Sequence, residues 1–197
     1  MLIMESHDLI LQNIAKHITL DAVEITYFIS LLTHNTIASK AYLLKEGQPC
    51  HYLNFVNSGT LRAYFLNKDG KESTIMFALK DWWVTDMHCF YNQTPAMLNI
   101  VAIEQTNILQ LSKKNFDLLL NKIPKFERFF RIIFQRAYIR EQLRTIENLS
   151  LPAAQRYENF IKKYPQTLQQ VTQKQIASYL GITPEFLSSI RNKKANS

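Results

Sequence analysis

The chain has 197 residues, of which 47% are hydrophobic and 20% are charged, a composition typical of a soluble globular protein of one or two domains. No run approaches the roughly 18 apolar residues that a membrane span needs, and the two cysteines cannot form a disulfide framework. With so few cysteines we expect a protein of the reducing cytoplasm, and the first residues lack the basic region of a secretory signal.

The net charge of +7 is distributed unevenly along the chain. Residues 1–112 carry 7 Lys and Arg against 10 Asp and Glu, whereas residues 113–197 carry 16 against 6. Such an excess in one part of a chain favours contact between that part and a polyanion. The alternative is a set of helices whose solvated surfaces simply contain many Lys and Arg residues.

Residues 4–33 have apolar side chains at helical spacing, and we expect them to form a helix. The following residues have the pattern of short strands joined by turns. Gly47, Gly59 and Gly70 are spaced twelve and eleven residues apart and separate runs that favour β structure. The sequence "NKDG", which ends at Gly70, predicts a hairpin, because Asp-Gly accepts the positive φ that tight turns require.

The run "TLRAYFL" predicts one of these strands. Leu61, Ala63 and Phe65 alternate with Arg62 and Tyr64, so the first three are expected to face a core and the other two to face solvent. A further apolar stretch, "NIVAIEQTNILQLS", predicts two more strands separated by a polar turn. The middle of the chain is therefore predicted to be all-β, as a rolled or barrel-like sheet.

A change to helical spacing follows this β region. "KKNFDLLLNKI" predicts a short helix, and a helix of roughly 40 Å follows Pro124, a residue tolerated in a first turn. Two apolar stripes run along the long helix, so we expect it to pack against its own β domain and against a second copy of the chain. Burial inside a monomer is the alternative. The predicted dimer interface consists of Ile132, Arg136, Ile139, Leu143 and Ile146.

Residues 171–194 predict a helix-turn-helix after an amphipathic helix at 151–165. Ala177 is small where the two helices cross, and Gly181 allows the sharp turn between them. Thr172 and Gln175 form a capping-box pattern for the first helix. For the second helix, Thr183 is a candidate cap and the following proline occupies the first turn.

The second helix of this hairpin presents polar side chains suited to the major groove of DNA. Glu185, Ser188, Ser189 and Asn192 could contact base edges, and the basic residues at its end could contact phosphates. A solvated helix face is the alternative for each of them. The full set of predicted DNA-binding residues is Gln173, Lys174, Thr183, Glu185, Ser188, Ser189, Arg191, Asn192, Lys193 and Lys194.

Together these features resemble the CRP/FNR (catabolite activator) superfamily of bacterial transcription regulators. The resemblance covers nearly the whole chain and rests on Gly47, Gly59, the run "FVNSGTLRAYF", the helix after Pro124 and the hairpin around Gly181. It implies an α+β fold. The parts would be an N-terminal β-roll (a cyclic-nucleotide-binding-like jelly roll) with flanking helices at 1–123, a dimerisation helix at 124–150 and a helix-turn-helix domain at 151–197 without an evident wing.

The resemblance also implies partners. A homodimer joined along the long helices would grip two DNA half-sites about one helical turn apart, and RNA polymerase is a candidate partner. The expected function is therefore sequence-specific regulation of transcription. The alternative is a ligand-binding or protein-interaction module in which the C-terminal hairpin is purely structural.

Members of the cyclic-nucleotide type have a Gly-Glu pair followed by an Arg-Ser pair in the ligand pocket. In this sequence Thr85-Asp86 and Ala96-Met97 occupy the corresponding places, and no basic residue occurs between Lys80 and Lys113. A buried phosphate without a positive partner is costly, so we expect no useful binding of cAMP. The predicted degenerate pocket consists of Met76, Thr85, Asp86, Met87, Ala96 and Met97.

The other sensor chemistries have little support in the sequence. An iron–sulfur cluster needs about four cysteines, and haem ligation by His51 or His88 has nothing specific in its favour. Adjacent residues of a strand point to opposite faces, so the Cys50-His51 and His88-Cys89 pairs are poor metal chelators. We expect no metal, no cofactor and no enzymatic activity, and the effector stays open.

Overall fold

The computed structural model describes residues 7–195, and the side chains of Lys194 and Ala195 lie outside the described part. Two helices come first, α1 (Asp8–Ala15) and α2 (Ala22–Ser30), followed by strand β1 (Leu32–Ile37). The expectation of one helix over 4–33 is therefore wrong, and residues 4–6 lie outside the described residues. Asp21 accepts a hydrogen bond from the Glu24 backbone N–H, and the Glu24 carboxylate accepts one from Asp21, so this capping box begins a new helix.

Two antiparallel sheets of four strands form the middle of the protein. One has the order β1-β8-β3-β6 and the other β2-β7-β4-β5, and their facing sides hold the main hydrophobic core. This arrangement confirms the predicted β-roll. The strands are β2 (Tyr42–Leu44), β3 (Tyr52–Ser58), β4 (Leu61–Leu66), β5 (Glu72–Ala78), β6 (Trp83–Val84), β7 (Asn99–Ala102) and β8 (Thr106–Ser112).

The turn between β3 and β4 depends on the glycine at its centre. Gly59 has φ +85°, and a Cβ atom there would lie 2.6 Å from the Thr106 side chain and 2.7 Å from the Gln105 carbonyl oxygen. Gly70, in the next hairpin, has φ +72° but open space around the position of a Cβ atom. Substitutions at the two positions therefore distinguish the cost of the left-handed backbone, which both share, from the cost of a steric overlap, which only Gly59 has.

Replacing Gly59 with alanine is expected to lower the free energy of unfolding by about 3 kcal/mol or more, because a left-handed backbone and a steric overlap act together. Gly70→Ala, which adds only the left-handed strain, is expected to cost about 1–2 kcal/mol. Urea denaturation of both variants measures the difference. Equal losses would show that the β3–β4 turn relaxes around the added methyl group.

The helices that follow the β-roll connect it to the C-terminal hairpin. The long helix α5 packs Phe126, Phe129 and Phe130 into the core, where Phe129 and Phe130 contact Trp83. The later part of α5 extends beyond the core, since its apolar residues Ile139, Leu143 and Ile146 are about half exposed. The remaining helices are α3 (Met87–Asn92), α4 (Lys113–Lys122), α5 (Lys125–Ser150), α6 (Ala153–Lys163), α7 (Thr167–Gln170), α8 (Gln173–Leu180) and α9 (Pro184–Ala195).

Strand β4 is buried on both faces over its first four residues. The alternation predicted for it is wrong, because Arg62 and Tyr64 are buried and Phe65 is 38% exposed. Helix α8 packs against the neighbouring strand β5, and the Arg62 guanidinium donates a hydrogen bond to Ser178 of that helix at 3.3 Å. The face of the sheet expected to meet solvent therefore meets helix α8.

The described residues contain no helix that combines the length and the apolar composition required to cross a membrane.

Candidate nucleic-acid interface and effector pocket

The C-terminal hairpin has the predicted local geometry. In α8, Thr172 accepts a hydrogen bond from the Gln175 N–H, and the Gln175 side chain accepts one from Thr172, which completes the capping box. Gly181 ends that helix in the left-handed conformation with φ 66°. The Thr183 hydroxyl accepts from the Phe186 N–H at 3.2 Å and caps α9. Side chains of both helices form a small core whose fully buried members include Ala177 and Leu187.

One face of α9 is open along its described length. Glu185, Ser188, Ser189, Arg191, Asn192 and Lys193 are exposed, as are Gln173, Lys174 and Thr183 at the start of the two helices. The side chain of Lys194 lies outside the described residues. Phe186, which the sequence analysis did not include, is 52% exposed on the same helix. An exposed aromatic side chain among serines suits contact with the methyl group of thymine.

Ser178 of helix α8 connects that helix to the β-roll. Ser178 Oγ donates to the Glu72 carbonyl oxygen at 2.7 Å and accepts from the Thr74 N–H at 3.0 Å. Arg62 joins the same cluster, since its Nε donates to Thr74 Oγ1 and its Nη1 pairs with the Glu72 carboxylate at 2.6 Å. The Arg62 guanidinium also stacks over the Tyr64 ring. These bonds give a buried charge the partners it requires.

Two arginines of α5 and α6 hold the end of α8. Arg144 donates to the carbonyl oxygens of Thr74 and Ile75 in β5 and of Tyr179 in α8, and it stacks on the Tyr179 ring at 4.1 Å. Arg156 donates to the Leu180 carbonyl oxygen at 2.8 Å. Cations at the carboxyl end of a helix satisfy its last carbonyl groups and oppose its dipole. The hairpin is thus held by the sheet and by two helices.

The predicted effector pocket is built around Asp86, which is 1% exposed. Its Oδ2 accepts hydrogen bonds from the backbone N–H groups of Met97 at 2.8 Å and Leu98 at 3.0 Å. Its Oδ1 accepts from the Cys89 N–H at 3.1 Å and caps α3. Three backbone donors therefore converge on one carboxylate of the chain itself.

The other predicted pocket residues lie at several depths. Ala96 and Thr85 are buried, and the Thr85 hydroxyl donates to the Tyr52 carbonyl oxygen at 2.8 Å. Met87 and Met97 are partly exposed. Met76 lines a separate cavity of about 10 Å³ whose other walls are Phe77, Trp82, two residues of α5, Tyr164, and Tyr179 of α8. No other residue of the predicted pocket lines that cavity.

Comparisons with known proteins agree with this geometry. Residues 35–122 match the cyclic nucleotide-binding domain family. They run from β1 through the Asp86 site to the end of α4. No curated protein matches the chain by sequence.

Similar solved structures extend over the C-terminal helices. CLP, described as a c-di-GMP responsive global regulator of Xanthomonas campestris, has 16% identity and a TM-score of 0.73 over 89% of this chain and 92% of that chain. FixK2 from Bradyrhizobium japonicum has 16% identity and a TM-score of 0.73 over 84% and 85%. A CooA mutant from Carboxydothermus hydrogenoformans has 18% identity and a TM-score of 0.69 over 91% and 86%. The predicted α+β fold is confirmed, and these structures share it.

Both cysteines lie within the residues that match the cyclic nucleotide-binding domain family, and both are buried. Burial, with Cys50 close by, raises the pKa of the Cys89 thiol to about 11. Cys50 Sγ lies 3.1 Å from the Thr85 hydroxyl. Among the described residues, no group of three or more His, Cys, Asp or Glu side chains is placed to hold a metal ion.

The predicted dimer interface, which we call the α5 stripe (Ile132, Arg136, Ile139, Leu143 and Ile146), lies beyond the domain core. Ile139, Leu143 and Ile146 are 45%, 52% and 53% exposed, and Ile132 is half-buried. Arg136 lies 3.3 Å from the His17 ring, and partial burial together with the Arg136 charge lowers the pKa of His17. Ile139, Leu143 and Ile146 therefore form a row of exposed apolar side chains along one face of α5.

Proposed function

We propose that the protein is a homodimeric, sequence-specific DNA-binding regulator of transcription that does not respond to cAMP. The observation that carries the proposal is the exposed polar surface of α9, a helix that packs on the rest of the hairpin through Leu187 and Ile190. A helix of this kind fits the major groove, which is about 12 Å wide. Ser188, Ser189 and Asn192 would meet base edges, and Arg191 and Lys193 would meet phosphates.

Dimer formation is supported by the α5 stripe. Its exposed apolar residues recur at spacings of four and three, the pattern of a two-helix interface. Two copies joined along this stripe would carry two α9 helices, as recognition of a two-fold symmetric site requires. Such a protein would act in the cytoplasm, and contact with RNA polymerase is a further expectation of the proposal.

Independence from cAMP is supported by the Asp86 site. The N–H groups of Met97 and Leu98 already donate to the Asp86 carboxylate, so they are not available to a ligand phosphate. The sequence from Lys80 to Lys113 also contains no other basic residue that could neutralise one. A phosphate placed beside a buried carboxylate would be repelled rather than held.

Selection of bound sequences from a random duplex pool tests the proposal directly. We expect enrichment of a two-fold symmetric site and affinity that falls steeply with salt. Absence of duplex binding at low ionic strength would reject DNA recognition. It would leave the alternative of a protein-interaction or ligand-binding module with a structural hairpin.

Replacing Arg191 with alanine is expected to weaken binding to every duplex similarly and to reduce the salt slope by about two, because the proposed dimer loses one phosphate contact in each half-site. Ser188→Ala with Asn192→Ala is instead expected to relax sequence preference. Fluorescence anisotropy across a salt series, on preferred and scrambled duplexes, separates the two effects. Lys68→Gln, an exposed change in the β4–β5 hairpin, is the control. An Arg191 variant indistinguishable from this control would contradict the assignment.

A further inference from the structure

A second cavity lies where α5, α6 and α8 meet, outside the cyclic nucleotide-binding domain match. Its volume is about 30 Å³, enough for two water molecules or for the terminal oxygens of a phosphate group entering from outside. The residues around it are Arg144, Glu147, Asn148, Arg156, Asn159, Phe160, Lys163, Tyr164, Tyr179 and Leu180.

The walls of this cavity, the α5–α6–α8 cavity, carry an excess of positive charge. Arg144, Arg156 and Lys163 supply three cations, and Glu147 supplies the one carboxylate. The Glu147 carboxylate accepts a hydrogen bond from Asn159 Nδ2 at 3.2 Å. A partly enclosed site with more cations than anions attracts a small anion.

Two donors at the cavity walls are unused. The Nε atoms of Arg144 and Arg156 are both buried without a hydrogen-bond partner. The Nη atoms of Arg144 donate to carbonyl oxygens of β5 and α8, and Nη1 also pairs with the Glu141 carboxylate at 3.5 Å. Nη1 of Arg156 donates to Asn148 and Leu180. Buried guanidinium N–H groups without an acceptor are unfavourable, and the guanidinium charges of both arginines attract an anion in the cavity that they line.

We propose that the α5–α6–α8 cavity is a binding site for phosphate or a small phosphorylated metabolite. The oxyanion accepts hydrogen bonds from the arginine side chains, and Lys163 at the exposed rim adds charge. The ligand thereby links α5, α6 and the end of α8. A ligand bound there would hold α9 more firmly. The importance of this effect for DNA binding rests on the proposed function, whereas the binding site itself does not depend on it.

Calorimetric titration of the full chain with inorganic phosphate, in a phosphate-free buffer at constant ionic strength, tests the site. We expect a dissociation constant of about 1 mM or tighter, and about tenfold weaker binding by Lys163→Gln, the loss expected for one charge-assisted contact. Lys162→Gln is the matched control, because it removes the same charge from the neighbouring exposed position, which does not line the cavity. Both lysines are exposed, so both variants are expected to fold normally.

Three results would overturn the proposal. One is the absence of binding heat with phosphate well above the expected dissociation constant, and another is equal weakening by the two lysine variants. The third is unchanged phosphate affinity in Lys163→Gln together with a smaller salt slope for duplex binding, which would assign Lys163 to the DNA backbone. The phosphate titration contains no DNA, so its result can be interpreted even if the DNA-binding proposal fails.

Discussion

Replacing Asp86 with alanine is expected to lower the free energy of unfolding by about 3–5 kcal/mol, because each buried N–H group left without an acceptor costs about 1–3 kcal/mol. The three groups concerned are those of Cys89, Met97 and Leu98. They belong to two separate segments, α3 and the approach to β7, so the carboxylate also joins these segments. Urea denaturation followed by circular dichroism measures the loss.

Two further variants define what the Asp86 carboxylate contributes. Asp86→Asn keeps one acceptor oxygen and is expected to cost less than the alanine variant, since part of the donor set stays satisfied. Asp117→Ala removes a carboxylate that is 52% exposed and paired with Lys113, and is expected to cost well under 1 kcal/mol. An Asp86→Ala variant as stable as Asp117→Ala would show that water replaces the carboxylate fully.

The same residue shows how far the sequence could predict this site. Substitution of the Arg-Ser pair by Ala96-Met97 indicated a pocket without a positive partner for phosphate. The donors that Asp86 uses are backbone N–H groups of Met97 and Leu98, which every non-proline residue has. No side-chain pattern marks such a cradle, so only the folded chain shows that a carboxylate occupies it.

The two helices of the C-terminal hairpin were predictable because their signals are local. The capping box at Thr172, the left-handed Gly181 and the Thr183 cap each depend on residues within a few positions of one another. The turn glycines of the β-roll are local in the same sense. Patterns of this kind survive in any tertiary environment, which is why they located the elements correctly.

Strand β4 was predicted incorrectly on one face because the covering element is distant in sequence. Arg62 and Tyr64 alternate with apolar residues as in a half-solvated strand, yet Ser178, 116 residues after Arg62, contacts the guanidinium. A helix that docks on a sheet reverses the expected burial without changing the local pattern. The cation-lined cavity beside α8 was hidden for the same reason, since its arginines come from separate helices.

The docking of α8 has a consequence for regulation. Ser178, Arg144 and Arg156 fix the hairpin to the chain through hydrogen bonds that involve no ligand. If α9 is the DNA-binding helix, these bonds determine how it is held against the β-roll. Control of DNA binding would then act on this docking, at the α5–α6–α8 cavity, rather than on the nucleotide pocket.

Replacing Leu143 with glutamate is expected to convert the proposed dimer into a monomer and to weaken binding to a symmetric site by about 100-fold or more, because the second half-site contact ceases to be intramolecular. Leu143 is the central member of the exposed apolar residues of the α5 stripe. A charge buried between two such stripes would lack a partner and would oppose its own copy across the two-fold axis. Sedimentation velocity measures the oligomeric state, and anisotropy measures the affinity.

Thr145→Glu provides the matched control on the same helix. It adds the same charge two residues away, at an exposed position rotated by about 200° from Leu143 around the helix axis. This variant is expected to remain dimeric with unchanged affinity for DNA. Because Leu143 is exposed, its replacement is not expected to unfold the protomer, and thermal denaturation checks this. A Leu143→Glu protein that still sediments as a dimer would place the dimer interface elsewhere. A wild-type protein that is a monomer and binds the symmetric site tightly would show that DNA binding does not require a dimer.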